Sequence, residues 1–467
     1  MFIKQLYTNC LSEAAYFIES RGEAAIIDPL RDITTYLELA KEKNATIKYI
    51  FETHFHADFV SGHIDLGKET GAPIIYGPEA ETTFTAHIAK DGEKFLLGDI
   101  TIEVIHTPGH TRESSCYLLK DENGKPHAIF TGDTLFVGDV GRPDLSSGNM
   151  TSDELAGIMY HTIQDKILPL QDDIIVYPAH GPGSSCGKNL GPSTYSTIAD
   201  ERKTNYALQP QTKEEFIKAV TDGLANAPKY FPINARINQE GYDPLGEVKA
   251  RGTRPLSVSE FKAKLDEDLI LLDTRPASEF TLGFIPGSVF IGLEGRFAEW
   301  AGSILPFDKP ILLVTVPGKE EETVIRLSRV GFDKMTGYLE GGFEAWQKAG
   351  EKTDMIIDIE ADELVMDLPF DKNITVVDVR RETEFGDGHL EDAINLPLTE
   401  MTDILRLAQF DDNQNLYVHC AGGYRSVIAA SLLKRQGLHN LRNIVGGWDK
   451  IKQQKDIKIV KEASALN

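Results

Sequence analysis

The chain has 467 residues, of which 41% are hydrophobic and 26% are charged, a composition that suits about three soluble globular domains. Its formal net charge of −24 disfavours binding of nucleic acid or of an anionic membrane by the general surface. No apolar run approaches the roughly 20 residues of a membrane helix, and the N-terminal sequence lacks a charged leader before an apolar core. We therefore expect a cytoplasmic protein that acts on a small molecule, with no nucleic-acid or membrane partner.

The cysteines are few and far apart. Cys10, Cys116, Cys186 and Cys420 form no CxxC pair, which argues against a disulfide framework and against a cysteine zinc site. This spacing fits a reducing compartment in which one or two thiols are reactive. A single cysteine is, however, more often a small buried hydrophobe.

The first half of the chain alternates short β-branched runs with turns and amphipathic stretches. Strands are predicted at residues 24–28, 47–54, 72–77, 100–110, 127–133 and 173–181, and helices at 34–44 and 152–163. This order is typical of an α/β fold with sheet-rich layers. His, Asp and Gly recur directly after the predicted strands, where loops supply ligands.

These strand ends carry a candidate metal site. Its members are His54, His56 and Asp58 in THFHADF, His110 in TPGHT, Asp133 in FTGDT and His180 in YPAHG. Imidazole and carboxylate groups that converge from several strand ends form a metal site with positions open to water. The HxHxD segment alone could be a chance polar loop. Four separate segments that each end a predicted strand in His or Asp, and that are each flanked by glycine, favour a metal site.

The order HxHxD, GHT, GD and AHG resembles the metallo-β-lactamase superfamily over about residues 1–230. The resemblance implies an αββα sandwich. Binuclear hydrolases of that superfamily, such as glyoxalase II, carry a further histidine directly after the aspartate, and here that position is Phe59. The missing imidazole weakens a second metal position, so a mononuclear site is expected.

Within the superfamily the sequence is most similar to the persulfide dioxygenases. This resemblance implies one Fe(2+) per chain, with Zn(2+) as the alternative, held by His54, His110 and Asp133. Two imidazoles and one carboxylate with open positions suit non-haem iron that reacts with O2. The resemblance further implies that His56, Asp58 and His180 orient the ligands, water or oxygen.

Arg142, in GDVGRPD, has two interpretations. The resemblance suggests that it binds a carboxylate of a thiol substrate such as glutathione. Alternatively, it pairs with Asp139 or Asp144 at the surface.

Cys186, in AHGPGSSCGKN, lies six residues after His180 and therefore near the mouth of the site. The glycines and the proline predict a tight, exposed turn, and Lys188 would favour the thiolate. Cys186 is then a catalytic thiol that accepts sulfur. The alternative is a small residue that only fits the turn.

Residues 229–255 are rich in Pro, Gly, Asn and Arg and only weakly periodic, which predicts a surface linker. Beyond them the chain repeats itself at an offset of 105 residues: LLDTRPASEF at 271–280 matches VVDVRRETEF at 376–385, and EGGFEAW at 340–346 matches VGGWDKI at 445–451. Each repeat is long enough for one small α/β domain. The predicted domains are 1–250 with the linker at its end, 251–354 and 355–467.

The second repeat contains LYVHCAGGYRS, in which a strand ends at Cys420 and a helix begins near Ser426. Such a loop points backbone N–H groups and the positive end of the helix at the sulfur, which stabilises a thiolate and holds a persulfide or sulfonate group. With DVR, GHLEDAINLP and VGGW, this repeat resembles a rhodanese, and its C-x4-R spacing fits a sulfur acceptor. The predicted catalytic residues are Cys420 and Arg425, and the predicted substrate-binding residues are Gly422, Gly423, Tyr424 and Ser426.

The first repeat keeps the scaffold motifs but lacks the cysteine and the arginine of the sulfur-binding loop. Thr315 stands in the place of Cys420, Glu320 in the place of the arginine and Glu321 in the place of the serine. A hydroxyl cannot carry a persulfide sulfur, and two acids repel an anionic sulfur donor. This repeat is predicted to be an inactive rhodanese-like domain that serves as a spacer or docking surface.

The sequence thus predicts an α/β multidomain enzyme: a metallo-β-lactamase αββα sandwich followed by two rhodanese-like α/β domains. We expect O2 to oxidise a low-molecular-weight thiol persulfide to sulfite, and Cys420 to transfer sulfane sulfur in forming or using thiosulfate, as a route of sulfide detoxification. A glyoxalase II-type thioester hydrolase with two metal ions is the first alternative, and a sulfur carrier or sensor is the second. A homo-oligomer is expected of this fold class, and the thiol carrier stays open.

Overall fold

The computed structural model describes residues 1–145, 150–224 and 226–462. The chain forms two compact units. The first contains Met1–Glu247 and Ile325–Asp333, and the second contains Val248–Val324 and the chain from Lys334 onwards. Among the described residues, every helix is too short or too polar to cross a membrane.

The first unit is built on two six-stranded sheets. One follows the order β1-β2-β3-β4-β5-β6 and consists of β1 (Phe2–Thr8), β2 (Glu13–Ser20), β3 (Glu23–Ile27), β4 (Thr46–Phe51), β5 (Ile74–Tyr76) and β6 (His87–Ile88). The other follows the order β12-β11-β10-β9-β8-β7 and consists of β7 (Lys94–Leu97), β8 (Ile100–His106), β9 (Ser115–Lys120), β10 (Pro126–Gly132), β11 (Ile175–Pro178) and β12 (Ser196–Thr197). Their inner faces share one apolar core, in which Tyr16 and Phe51 meet Tyr117 and Phe130. The alternation of apolar and polar residues along the strands buries one set of side chains between the sheets.

The helices of this part of the chain are α1 (Thr34–Glu42), α2 (His63–Thr70), α3 (Ser152–Thr162), α4 (Ile198–Thr204), α5 (Lys213–Thr221), α6 (Phe231–Glu240) and α7 (Leu245–Gly252), with a π-helical turn at Ile163–Ile167 and a 3-10 turn at Tyr206–Leu208. Helices α1 and α2 cover the outer face of the first sheet, and α3, α4 and α5 cover that of the second. Leu39 of α1 and Leu66 of α2 pack on the first sheet, and Met159 of α3 and Phe216 of α5 pack on the second. The αββα sandwich expected from the sequence is confirmed.

The segment 229–255 is not the surface linker that its composition predicts, because it forms α6 and α7. Pro232 lies in the first turn of α6, where a missing N–H breaks no helical hydrogen bond. Phe231 and Asn238 are buried. Asparagine usually indicates a loop, but the Asn238 amide is fully used inside the protein: its Nδ2 donates to the carbonyls of His56 and Phe59, and its Oδ1 accepts from Ser61 N–H.

The two sequence repeats have the same architecture. The first contains β13 (Pro255–Leu256), β14 (Ile270–Asp273), β15 (Val289–Phe290), β16 (Ile311–Val314), β17 (Met335–Leu339), α8 (Val258–Lys264), α9 (Ala277–Leu282), α10 (Phe297–Ile304), α11 (Glu320–Ser328) and α12 (Gly342–Lys348). The second contains β18 (Ile357–Ile359), β19 (Ile374–Asp378), β20 (His389–Leu390), β21 (Ile394–Asn395), β22 (Asn415–His419), β23 (Leu441–Ile444), β24 (Ile459–Val460), α13 (Ala361–Asp367), α14 (Glu382–Gly386), α15 (Ile404–Leu407), α16 (Tyr424–Arg435) and α17 (Gly447–Ile451), with a 3-10 turn at Leu398–Glu400. The five-stranded sheets are parallel, with orders β13-β17-β16-β14-β15 and β18-β23-β22-β19-β21, and β20 pairs with β24.

A buried Asp–Arg pair explains the motif shared by both repeats. The Arg380 guanidinium binds the Asp378 carboxylate and also donates to the Gly388 carbonyl at 2.8 Å. Arg275 binds Asp273 and the carbonyl of Gly283 in the same way. The pair ties the end of β14 to the residue that follows α9, and the end of β19 to the chain just after α14. The domain boundaries drawn from the sequence stay a prediction.

Candidate metal centre and sulfur-transfer loop

Strand ends of the sandwich bring the candidate ligands to one place. His54 follows β4, His110 follows β8, Asp133 follows β10 and His180 follows β11. None of these side chains is more than 2% exposed. His54, His110 and Asp133 each offer a ligand atom within 4.8 Å of the others. The structure therefore brings together the three residues that the sequence analysis assigned to the metal.

The Asp133 carboxylate lies at the centre of this group. Its Oδ2 is 3.8 Å from His54 Nε2 and 3.5 Å from His110 Nε2, and its Oδ1 is 3.5 Å from His180 Nε2. Within the described part of the chain, neither carboxylate oxygen has a hydrogen-bond partner. A buried carboxylate without partners is costly, and ligands that bind one metal at about 2.0–2.2 Å lie about 3–3.5 Å apart. The donor set and its spacing fit a cation.

Hydrogen bonds to the other ring nitrogen orient each imidazole. His110 Nδ1 lies 2.8 Å from the Arg142 carbonyl, and His180 Nδ1 lies 3.2 Å from the Ser12 carbonyl. His54 Nδ1 lies 2.9 Å from Thr53 Oγ1. A carbonyl partner requires the proton on Nδ1, which leaves the Nε2 lone pair for a metal. Burial, aided by the neighbouring imidazoles, holds the pKa of His54 well below its ordinary value, so that this ring is neutral.

Asp28 is a site residue that the sequence analysis missed. It follows β3 and accepts hydrogen bonds from Thr53 N–H at 2.7 Å and from Thr53 Oγ1 at 2.9 Å. It also lies 3.1 Å from His56 Nε2. Asp28 therefore supports His54 through Thr53 and holds His56 directly. The available signal was a predicted strand that ends in aspartate, as the strand before Asp133 does.

The same region contains a second group of potential ligands. His56, Asp58 and His180 lie within 4.8 Å of one another. Phe59 is fully buried, and its ring centroid lies 4.3 Å from that of His56. An apolar ring thus occupies the position at which the binuclear hydrolases have a histidine. The orienting role predicted for these three residues stays a prediction.

Arg142 is paired within the protein. Its Nε and Nη2 donate to the two carboxylate oxygens of Asp144, both at 2.7 Å, and its side chain is buried. This is the ion pair that the sequence analysis gave as the alternative to substrate binding. The binding of a substrate carboxylate by Arg142 stays a prediction.

Cys186 does not lie in the exposed turn that the sequence predicted. It is 1% exposed, and its ligand atom lies within 4.8 Å of those of Asp133 and His180. Burial, together with the nearby carboxylates of Asp58 and Asp133, holds the pKa of its thiol well above the ordinary value. Lys188 does not offset this, because its ammonium donates to the carbonyls of Ala219 and Asp222. The turn residues were recognised, but the sequence did not show that the turn folds inward over the metal site.

The Cys420 loop has the form expected of a sulfur-binding loop. Cys420 follows β22 directly, and α16 begins at Tyr424. The Gly423 N–H donates to Cys420 Sγ at 3.1 Å, and Ser426 Oγ lies 3.6 Å from the sulfur. Gly423 has a φ of 105°, a conformation that suits glycine.

The segment that contains Gly446 and Gly447 packs against the backbone of the Cys420 loop. The N–H groups of Trp448 and Asp449 donate to the carbonyls of Cys420 and Ala421. A Cβ on Gly447 would lie 2.2 Å from the Cys420 carbonyl oxygen. This close approach explains why the repeat has glycine at position 447.

Arg425 is held by a carboxylate next to the loop. Its Nη1 and Nη2 donate to the two oxygens of Glu384, both at 2.7 Å. The sequence analysis placed this arginine at the edge of the loop but did not identify Glu384. Its catalytic role, and the substrate contacts of Gly422, Gly423, Tyr424 and Ser426, stay predictions.

The matching loop of the first repeat has no thiol. Thr315 follows β16 as Cys420 follows β22, and it is buried. Glu320 begins α11, and its carboxylate accepts from Gly318 N–H at 3.0 Å. A carboxylate at a helix N-terminus stabilises the helix and occupies the end that would otherwise attract an anion. The inactivity of this repeat stays a prediction.

Comparisons with known proteins agree with this organisation. The sequence profile of the metallo-β-lactamase superfamily matches residues 8–180, and that of the rhodanese-like domain matches residues 257–349 and 361–454. The human mitochondrial persulfide dioxygenase ETHE1 is 32% identical over 245 residues, which cover 51% of this chain and 86% of that protein. A probable hydroxyacylglutathione hydrolase of Schizosaccharomyces pombe is also 32% identical, over 166 residues that cover 35% of this chain and 60% of that protein. A crystal structure described as a metallo-β-lactamase from Staphylococcus aureus subsp. aureus COL is 33% identical, has a TM-score of 0.65, and the match covers 73% of this chain and 98% of that one.

Proposed function

We propose that this chain, which belongs to the metallo-β-lactamase superfamily and carries two rhodanese-like domains, oxidises a thiol persulfide with O2 and transfers sulfane sulfur on Cys420. Percentage identity does not choose between oxidation and thioester hydrolysis, since a persulfide dioxygenase and a probable hydrolase are both 32% identical to the matched parts of the chain. The observation that carries the proposal is Phe59, whose buried ring stands where a binuclear hydrolase needs an imidazole.

His54, His110 and Asp133 would hold one Fe(II). Bound Fe(II) would supply open coordination positions and redox chemistry for the reaction of a persulfide with O2. The chain's own contribution is orientation: the Arg142 carbonyl and the Thr53 hydroxyl hold the two imidazoles with Nε2 directed at Asp133 Oδ2. Ligands fixed in this way need no rearrangement when the substrate arrives.

Cys420 would work by nucleophilic catalysis. Its thiolate attacks the outer sulfur of a donor; a new S–S bond forms, the donor S–S bond breaks, and sulfite or a thiol leaves with the electron pair. In the opposite direction, sulfite attacks the Cys420 persulfide and the Cys420 thiolate leaves, which gives thiosulfate. The Gly423 N–H at 3.1 Å from Sγ is placed to stabilise the charge on this sulfur in both directions.

Metal content and oxygen uptake test the first activity. Protein purified without oxygen is expected to contain about one equivalent of iron, because Phe59 leaves the second group without the further imidazole that a binuclear site needs. It should consume O2 when a thiol persulfide is added and release sulfite. Two equivalents of zinc, with thioester hydrolysis and no persulfide-dependent oxygen uptake, would contradict the proposal.

A hydrolase with two metal ions is the second candidate, and the group His56, Asp58 and His180 is the observation that favours it. That group offers three ligands, whereas His56 is already engaged by Asp28. Replacement of Phe59 by histidine would add the missing imidazole. If Phe59→His binds a second metal ion and wild type does not, the wild-type site is mononuclear.

A further inference from the structure

The Cys420 loop contacts the inactive repeat, and both lie in the second unit. The Tyr424 hydroxyl, one residue before Arg425, donates to the Gly292 carbonyl at 2.7 Å. The Tyr424 ring also meets the Phe290 ring edge to face, with centroids 6.0 Å apart. Two turns further along α16, Ser431 Oγ accepts from Phe290 N–H at 3.0 Å. The inactive repeat therefore forms part of the surroundings of the sulfur-transfer loop.

The inactive repeat also brings a carboxylate to this place. Glu299, on α10, lies 3.7 Å from Arg381 Nη2 and forms an ion pair with Arg296. Burial raises the pKa of Glu299, and the charges of Arg296, Arg381 and Arg425 act in the opposite direction. The Arg381 N–H donates to Glu384 Oε2 at 3.1 Å, and Glu384 binds Arg425. Contacts therefore run from Glu299 through Arg381 and Glu384 to the arginine of the Cys420 loop.

Glu299 is not needed to neutralise Arg425. That guanidinium already has a bidentate partner in Glu384. The side chains of Arg296 and Arg381 are 48% and 62% exposed, so that water can solvate their charges without a carboxylate. Glu299 itself is only 14% exposed, and its negative charge is therefore poorly screened by solvent.

We infer that Glu299 of the inactive repeat is a specificity-determining residue that weakens the binding of small anions at the Cys420 site. The three arginines attract an anionic sulfur donor, and Glu299 opposes that attraction from the inactive repeat. A dianion such as thiosulfate is disfavoured most, and an uncharged reagent is not affected. The inference rests on the proposed function of Cys420 for its biological meaning.

The test replaces Glu299 by glutamine, which keeps the shape and removes the charge. In Glu299→Gln the KM for thiosulfate should fall about three- to tenfold with kcat nearly unchanged, as expected when one nearby unit charge is removed in a partly screened site. The decrease should shrink at high salt. Glu267→Gln is the matched control: it changes the net charge equally, but Glu267 is exposed and precedes β14, at the amino end of the strands. It should leave the KM unchanged.

A second measurement does not depend on turnover. The rate of alkylation of Cys420 by iodoacetate, an anion, divided by the rate with neutral iodoacetamide, reports the local potential and can be followed on the Cys420 peptide by mass spectrometry. This ratio should rise about three- to tenfold in Glu299→Gln and stay constant in Glu267→Gln. An unchanged ratio and KM in Glu299→Gln, or equal shifts in both variants, would overturn the inference. If wild type transfers no sulfur but the ratio still shifts, the proposed function fails and the electrostatic role of Glu299 stands.

Discussion

At the scale of single residues, the geometry of the candidate metal site depends on atoms that no sequence motif contains. The Arg142 carbonyl orients His110. The sequence analysis had considered only the guanidinium of Arg142, as a substrate ligand or an ion-pair partner. The guanidinium binds Asp144, and this fixes the chain segment that carries the carbonyl. The side chain of Arg142 therefore influences the metal ligand through the backbone, whether or not it meets a substrate.

Cys186 is the residue for which the structure gives the sharpest test. Its sulfur is near Asp133 and His180, so it lies where sulfur from an incoming persulfide could be accepted. Replacement by serine keeps the size and the carbonyl that accepts from Arg142 N–H, and therefore the local fold. In Cys186→Ser the iron content should be unchanged, while persulfide oxidation slows about tenfold, or roughly 1.4 kcal/mol in the barrier, and the ratio of sulfite to thiosulfate changes.

Cys10→Ser is the control, because Cys10 is only half-buried and belongs to none of the groups of potential metal ligands among the described residues. It should behave as wild type. Wild-type rates and products in Cys186→Ser, with Cys186 found unmodified by mass spectrometry after turnover, would show that this cysteine only fills space.

At the scale of secondary-structure elements, α6 supports the loop that carries the candidate ligands His54 and His56. The three hydrogen bonds of the Asn238 amide fix the backbone of the HxHxD segment at His56, Phe59 and Ser61. Asn238→Ala should lower the free energy of unfolding by about 2 kcal/mol, because it leaves buried carbonyls and an N–H without partners. It should also weaken iron retention about tenfold or more, measured by iron per chain after dialysis against a chelator.

Asn234 provides a matched control on the same helix. It is as buried as Asn238, but its amide has no hydrogen-bond partner in the described part of the chain. Asn234→Ala should therefore keep its iron. Equal iron loss in both variants would mean that α6 supports the site by packing alone.

Gly447 allows a similar test of the Cys420 loop. An alanine at Gly447 would place its Cβ 2.2 Å from the Cys420 carbonyl oxygen, at a φ of 52°. The loop must then move, and sulfur transfer should fall more than about tenfold, a barrier increase above 1.4 kcal/mol. Persulfide-dependent oxygen uptake should be unaffected. Gly386→Ala is the control, because nothing lies within 4 Å of the added Cβ, and it should keep both activities. Full sulfur transfer in Gly447→Ala would show that the close contact is not required.

At the scale of the whole molecule, the sequence predicted the architecture well because the signals are local and repeated. The strand from Ile100 to His106 and the helix from Thr34 to Glu42 follow directly from period-2 and period-3.6 patterns. The repeat at an offset of 105 residues indicated two similar domains, and the two parallel sheets indeed share one strand order. The candidate metal ligands were recognised in the sequence because each follows a predicted strand.

The features that the sequence did not indicate depend on partners distant in the chain. Asn238 reads as a loop residue until His56 and Phe59 are seen to accept its hydrogen bonds. Cys186 reads as exposed until its turn is seen to fold over Asp133. In both cases a polar or flexible residue is buried by tertiary contacts, and such contacts leave no periodic trace in the sequence.

The whole molecule should carry two chemically separable activities. His110→Ala removes one of the two predicted imidazole ligands. It should lower the rate of persulfide-dependent oxygen uptake more than about a hundredfold, while thiosulfate:acceptor transfer continues. Cys420→Ser should have the opposite effect, because a hydroxyl cannot carry the transferred sulfur. Both activities are measured on the same preparations of the full chain, by an oxygen electrode and by a sulfur-transfer assay.

Thr315→Ala is the control for Cys420→Ser, since Thr315 holds the equivalent position in the first repeat and should matter to neither activity. Loss of both activities in His110→Ala and in Cys420→Ser alike would mean that each reaction needs both sites.

The ratio of sulfite to thiosulfate among the products tests whether the two sites act in sequence. Cys420→Ser should release sulfite from the persulfide and form no thiosulfate, because sulfite then meets no sulfur on Cys420; the full chain should form thiosulfate, since tethering keeps the two sites at high effective concentration. Thiosulfate formed at the wild-type rate by Cys420→Ser would place its formation away from this loop.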